Sequence, residues 1–167
     1  VRTGPFTGLV LPTRPADGSF APKLLGCYEA ELHHCIERTV ERARGHVVNI
    51  GCAEGYYAVG LARLMPNSKI FAYDIYNKAQ NSCRETAIAN DVSDRVKIRE
   101  LFTRADFEQF PAGDTMIICD IEGAELELLV PEHAPALAGF DIQVELHNSF
   151  EVEFNQRVIA AFKATHD

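Results

Sequence analysis

The sequence has no excess of positive charge: 16 Lys and Arg stand against 24 Asp and Glu, a formal net charge of −8. A chain this acidic gains nothing from counterion release along a phosphate backbone. Generic nucleic-acid binding is therefore excluded, although a locally basic groove is not. No apolar run approaches the ~18 residues needed to cross a bilayer, and no charged-then-apolar leader precedes the domain. A membrane partner is not expected, and a cytoplasmic location is. The five cysteines, Cys27, Cys35, Cys52, Cys83 and Cys119, are odd in number and include no CxxC pair. That argues against a disulfide framework or a structural zinc, and for a reducing compartment. No GxxxxGK(S/T) stretch occurs, so a P-loop is excluded. The chain begins at Val1 rather than Met, the start expected of a fragment or of the ordered part of something longer.

What is present suits one domain with a modest extension. The chain has 167 residues, 47 % of them apolar, against a prior of ~150 residues per domain. Residues 1–26 hold Pro5, Pro12, Pro15 and Pro22 with Gly4, Gly8, Gly18 and Gly26, the composition of an irregular arm in which Gly8–Leu11 is a candidate short strand. Leu25, Tyr28, Leu32, Ile36 and Val40 then recur at three- and four-residue steps and predict an amphipathic helix ending near Gly45. Residues 1–45 thus read as arm and helix, and residues 46–167 as the main domain.

From His46 onward short apolar runs alternate with helical stretches. The runs are HVVNI (46–50), KIFAYD (69–74), RVKIRE (95–100), TMIICD (115–120) and DIQVELH (141–147). The stretches are 56–64, 78–90, 123–130 and 151–164. Near-continuous apolar strands alternating with helices predict an α/β fold, a doubly wound (Rossmann-like), mostly parallel sheet with helices on both faces.

The first strand breaks at GCAEG (51–55), and the second ends at Asp74, 19 residues after Gly55. Gly51 suits a tight turn past a strand end, and small Ala53 and Gly55 allow close approach of a ligand and of the next helix. An acidic residue at the position of Asp74 accepts the hydroxyls of a ribose. Together they point to nucleoside binding. The glycines lie four apart, unlike the G-x-G-x-x-G of dinucleotide sites, and no Tyr-x-x-x-Lys pair occurs. An NAD(P)-dependent oxidoreductase is the less favoured alternative.

NIGCAEGYY (49–57) is similar to motif I of the class I S-adenosylmethionine-dependent methyltransferases, and YDIY (73–76) to their acidic second motif. CDIEGAELELL (119–129) resembles the D-x-E-G-x-E-x-x-x-L segment of the FkbM-like members, as does ELH (145–147) the end of their fifth strand. The likeness spans about residues 46–150, with Asn49 standing where an acidic residue is usual and Ala53 where Asn is frequent. It implies methyl transfer from S-adenosylmethionine to a small-molecule or sugar hydroxyl, leaving S-adenosylhomocysteine. The cofactor-binding candidates are Asn49, Gly51, Cys52, Ala53, Glu54, Gly55, Asp74, Ile75, Thr103 and Asp120, with Phe102 and Asp106 also at the third-strand exit. Two further strands usual in the class would follow the last helix, where this chain stops. Without them strand five is an edge, which leaves a homo-oligomer open and supports the alternative of a non-catalytic nucleoside-binding or assembly module.

For the transfer itself the candidates are Asp120, Glu122 and His147. Asp120 and Glu122 end an uncharged, mostly apolar strand, where two carboxylates are costly unless they meet a cation, a donor or a ligand. Glu125 and Glu127, by contrast, read as solvated or as paired at a helix start. Alternation on strand five sends Gln143, Glu145 and His147 to one face. That stripe reads either as a solvated edge, as a histidine satisfied by its neighbours, or as a general base with an unperturbed pKa of about 6.5. A divalent ion held by Asp120 with His147 and Asn148 is a further variant, disfavoured because Mg²⁺ prefers oxygen to imidazole.

Overall fold

A computed structural model describes residues 1–12, 19–129, 134–146 and 153–166. Five parallel strands form one sheet: β1 (His46–Ile50), β2 (Lys69–Tyr73), β3 (Val96–Arg99), β4 (Thr115–Cys119) and β5 (Asp141–Val144). Their order is β3-β2-β1-β4-β5. The order reverses between β1 and β4, which share the register Val47 to Met116 and Ile50 to Cys119. Helices α1 (Phe20–Leu25), α2 (His33–Arg42), α3 (Tyr56–Leu64), α4 (Asn77–Ala89), α5 (Glu125–Leu128) and α6 (Glu153–Phe162) surround it, with 3-10 turns at Ala30–Leu32, Arg104–Gln109 and Pro135–Gly139. None of the described helices is long and apolar enough to cross a membrane.

Alternation along β1 explains why both faces are covered. Val47 joins Phe6, Leu9, Ile36, Leu61, Cys83 and Ile118 in one cluster, so the arm, α2, α3 and α4 share that face. Val48 and Ile50 join Phe102, Phe107, Leu129, Leu137 and Phe140 on the other. Each buried Phe, Leu or Ile contributes about 1.5–3 kcal/mol, so neither face could be left bare. The doubly wound α/β architecture expected from the alternating runs is the one observed. The strands and helices differ from the sequence reading only at their ends: β5 stops at Val144, and α5 spans only Glu125–Leu128.

The N-terminal segment departs further. The helical period starting at Leu25 is interrupted, because α1 ends there and α2 begins at His33. The Leu24 and Leu25 carbonyls accept the N–H groups of Arg2 and Thr3 at 2.9 and 3.1 Å. A Cβ on Gly26 (φ 86°) would stand 1.9 Å from the Thr3 carbonyl oxygen. The crossing of the arm thus takes the acceptors that a continuing helix would use. Residues 9–11 form no strand; instead the Asn90 side chain accepts from the Val10 N–H at 3.0 Å and donates to its carbonyl at 2.8 Å. Irregular though it is, the arm is anchored: Phe6 and Leu9 are buried, and the Phe6 ring lies where a Cβ on Gly60 would be, 2.5 Å away.

At the opposite end of the sheet Asp141 joins β5 to the α2–β1 connection. Its carboxylate accepts from Arg42, and from Arg44 Nε at 2.7 Å. Burial alone would raise this carboxyl, but the hydrogen bonds and charges of Arg44 and Arg42 outweigh it and hold it below its ordinary 3.8. A depressed native pKa stabilises the fold above the unfolded value and loses that contribution as pH falls through the native one. Urea midpoints measured from pH 5 downward will therefore fall less steeply below about pH 4 in Asp141→Asn than in the parent. Identical slopes would show that the pair contributes nothing.

Candidate functional site

The reversal of strand order opens a crevice at the carboxyl ends of β1 and β4, where open α/β sheets take ligands. The glycine loop bends across it. Gly51 N–H and Cys52 N–H both donate to the Tyr73 carbonyl at 2.9 Å, and Gly55 N–H donates to the Cys52 carbonyl at 2.8 Å. Three of the five loop residues are left-handed: Gly51 (φ 79°), Ala53 (φ 46°) and Gly55 (φ 87°). Gly51 is obligatory for space as well as for φ, since a Cβ there would lie 1.7 Å from the Asp120 carbonyl oxygen. Ala53 holds a conformation that costs a non-glycine residue about 1–2 kcal/mol.

Asp74 supplies part of what holds it. Its Oδ2 accepts the Ala53 N–H at 3.0 Å and its Oδ1 the Tyr76 N–H at 2.9 Å. A carboxylate offers about four acceptor positions, so capacity remains for two ligand hydroxyls. The adjoining cleft has a volume of about 580 Å³, with Ile75, Leu101, Phe102 and Leu128 among its apolar walls. Ile75, Tyr76 and Leu101 are more than half exposed on its rim. Its charged lining is one-sided: Asp74, Glu100, Asp120, Glu122 and Glu127 against Arg104. That field suits a cationic ligand and opposes a pyrophosphate.

Of the residues singled out from sequence as cofactor or catalytic candidates, Gly51, Ala53, Asp74, Ile75, Phe102, Asp120 and Glu122 line this cleft. Asn49, Cys52, Glu54, Gly55 and Thr103 do not. Asn49 is 2 % exposed, within the sheet beneath the loop. Cys52 is buried; hydrogen bonding to Cys83, then burial, pushes its thiol well above the ordinary value, so it stays protonated. Glu54 is fully buried against Lys23 of α1, Nζ to Oε1 2.7 Å. Gly55 caps α3, where a Cβ would meet Cys83 Sγ at 2.8 Å. Thr103 caps the turn at Arg104–Gln109, its N–H and hydroxyl donating to Asp106 at 2.7 and 2.6 Å. Asp106 also accepts from Gln109 at 2.7 Å, so it is engaged locally. His147 and Asn148 lie outside the described residues, and among those described no group of three or more His, Cys, Asp or Glu is placed to hold a metal ion.

Of the two readings for Glu125, solvated or paired at a helix start, the structure takes the second: it is fully buried and accepts from the Gly123 N–H at 3.2 Å, bracing the turn that carries Glu122 at φ 58°. The segment before the family likeness packs against the start of α3, with the Tyr28 ring edge-on to Tyr56 at 5.5 Å between centroids. The Tyr57 hydroxyl donates to Glu29. Burial, then a hydrogen bond to Glu29 and the charges of Glu29, Glu145 and Asp120, push the Tyr28 phenol far up. Tyr28 therefore stays protonated. The only sequence signal for this was the aromatic spacing of Tyr28, Tyr56 and Tyr57, which reads equally well as core.

Residues 31–118 match the model of the methyltransferase small domain. A curated relative, release factor glutamine methyltransferase of Flavobacterium psychrophilum, is 27 % identical over 97 residues, covering 56 % of this chain and 34 % of the relative. The chain thus spans about a third of that relative's length. An O-methyltransferase from Bacillus cereus solved in complex with SAH superposes with a TM-score of 0.58 at 14 % identity, over 92 % of this chain and 71 % of that one. Precorrin-6y C5,15-methyltransferase from Geobacter metallireducens gives 0.55 at 17 %, over 80 % and 71 %. These structures share the fold, and the sequence match spans more than half of the residues, from the arm's end through β4. The chain belongs to the methyltransferase small domain family.

Proposed function

We propose that the cleft binds S-adenosylmethionine and that the chain is a methyltransferase. The observation that carries this reading is Asp74 beneath the glycine loop, with both carboxylate oxygens already set by backbone N–H groups, in a cleft whose charged lining is almost wholly acidic. The residues present fit the cofactor: Asp74 for the ribose hydroxyls, Ile75 with Leu101 and Phe102 for the adenine faces, the backbone of residues 51–55 for the methionine end. When bound, the sulfonium supplies an electrophilic methyl group that needs no further activation. The chain's own work is alignment, exclusion of water and removal of a proton. Asp120 and Glu122, at the end of β4, are the described carboxylates suited to the last task. His147 remains the proposed general base. Residues 46–167 carry the cofactor site in this reading, and residues 1–45 form the arm and amphipathic helix packed against it outside the cleft.

The acceptor in this proposal is a hydroxyl of a small molecule or sugar, supported by the FkbM-like CDIEGAELELL (119–129) and ELH (145–147). A phosphate backbone fits poorly over five carboxylates. A second reading, a glutamine amide of a protein, is favoured by the name of the curated relative. Tritiated methyl from S-adenosylmethionine entering the small-molecule fraction of an extract supports the first; label in acid-precipitated protein supports the second.

The cofactor is tested by calorimetric titration with S-adenosylhomocysteine, with NAD⁺ in parallel. Micromolar binding of the first alone is the expected result. Binding of NAD⁺ alone would move the reading to an oxidoreductase, and silence from both would leave a non-catalytic module.

A further inference from the structure

We infer that Lys23, which lies outside the cleft, is a positioning residue for the glycine loop: its buried ion pair with Glu54 holds the loop in its cofactor-binding shape. The inference rests on the cofactor reading above. Glu54 is fully buried and Lys23 is 3 % exposed, with 2.7 Å between Nζ and Oε1. Neither charge tolerates such burial alone, and removing one partner of a buried pair leaves the other uncompensated. Lys23 is fixed in turn. Its ammonium stands 4.7 Å from the centroid of the Tyr28 ring, and α1 is pinned by the Arg2 and Thr3 N–H groups on its last carbonyls.

Glu54 sits between the two residues that make the end of the loop unusual, left-handed Ala53 and left-handed Gly55. A strained residue keeps its conformation only where its surroundings over-determine it. Here the restraints come from opposite sides. On the cleft side the Ala53 N–H is held by Asp74 Oδ2 at 3.0 Å. On the arm side the next side chain, Glu54, turns away from the cleft into Lys23. A second tie follows at once, where Tyr57 at the start of α3 donates to Glu29. Without Lys23 the Glu54 carboxylate must reach water or take up a proton, and the first course draws the loop backbone away from Asp74. The arm therefore acts on cofactor affinity without touching the cofactor.

The test compares the full chain with Lys23→Met and Lys23→Arg. Amide hydrogen exchange of Ala53 and Gly55 is measured without ligand, and S-adenosylhomocysteine affinity by calorimetry. In Lys23→Met, protection of Ala53 and Gly55 falls at least tenfold while Val48 and Ile117 in the sheet keep theirs, and affinity falls at least tenfold. Lys23→Arg stays within threefold of the parent in both. Parental loop protection and affinity in a folded Lys23→Met would overturn the inference, as would an equal loss of protection across β1 and β4. Should Lys23→Met not fold, Lys23→Gln, which keeps a donor for Glu54 but removes the compensating charge, carries the same expectation at three- to tenfold and is overturned by the same parental values. If the parent binds no S-adenosylhomocysteine but loop protection still depends on Lys23, the cofactor reading fails while the positioning role stands.

Discussion

Asp74→Ala will weaken S-adenosylhomocysteine binding at least 100-fold. The carboxylate has two duties, and the substitution ends both. It accepts the Ala53 and Tyr76 N–H groups at 3.0 and 2.9 Å, and so sets the loop. It also offers the only carboxylate at the end of β2 within the described cleft lining. A hydrogen bond to a charged acceptor contributes about 1.5–3 kcal/mol, and each 1.4 kcal/mol is tenfold in affinity. Two such bonds to the ribose exceed 100-fold before the loop itself relaxes. Asp74→Asn separates the duties, because its oxygen still accepts while its amide cannot; a loss of about 10- to 100-fold is expected. Calorimetry on both variants decides the matter. Binding of Asp74→Ala within threefold of the parent would remove Asp74 from the cofactor site.

The largest effect on the fold is expected at Gly51. A Cβ there would lie 1.7 Å from the Asp120 carbonyl oxygen and 2.8 Å from its carbon, both main-chain atoms that no rotamer change can move. Gly51→Ala must therefore part β1 from β4, losing the bond from Asp120 N–H to the Ile50 carbonyl at 3.0 Å. The left-handed penalty of about 1–2 kcal/mol and one or two lost hydrogen bonds of about 1 kcal/mol each sum to about 3 kcal/mol. That lowers the thermal midpoint by roughly 6–12 °C for a chain of this size, with loss of S-adenosylhomocysteine binding. Gly113→Ala is the control. It shares the conformation, at φ 77°, but has nothing within 4 Å of its would-be Cβ. It pays the backbone penalty alone, so the difference between the two melting curves isolates the clash. Equal shifts would mean that β1 and β4 yield freely at the site.

Much of this molecule was legible because its signals are local and periodic. Runs such as HVVNI and TMIIC are short, apolar and interrupted by helical spacing, and only a parallel sheet covered on both faces buries them. GCAEG followed 19 residues after Gly55 by Asp74 marked the crevice, since backbone conformation and the reach of a carboxylate are properties of the residues themselves. Family likeness at 119–129 added Asp120 and Glu122, both of which line the cleft. The loop side chains were less legible. Spacing placed Cys52, Glu54 and Gly55 in the loop but could not say which way each one turns.

Direction was decided by what the rest of the chain brings alongside. Glu54 faces Lys23, not the cleft, because α1 delivers an ammonium into a space no water reaches. Cys52 and Gly55 pack on Cys83 because α4 crosses behind the loop. Thr103 and Asp106 satisfy each other because a 3-10 turn starts at Arg104, with Thr103 as its cap. The helix expected from Leu25 onward breaks because Arg2 and Thr3, more than twenty residues away, take its carbonyls. The strand pattern, the glycine turn and the acidic residue below it each follow from nearest neighbours along the chain. Which loop side chains meet a ligand and which meet the arm was decided only by tertiary structure. A charged or polar group turns toward whichever partner desolvates it at least cost, and those partners come from distant parts of the chain.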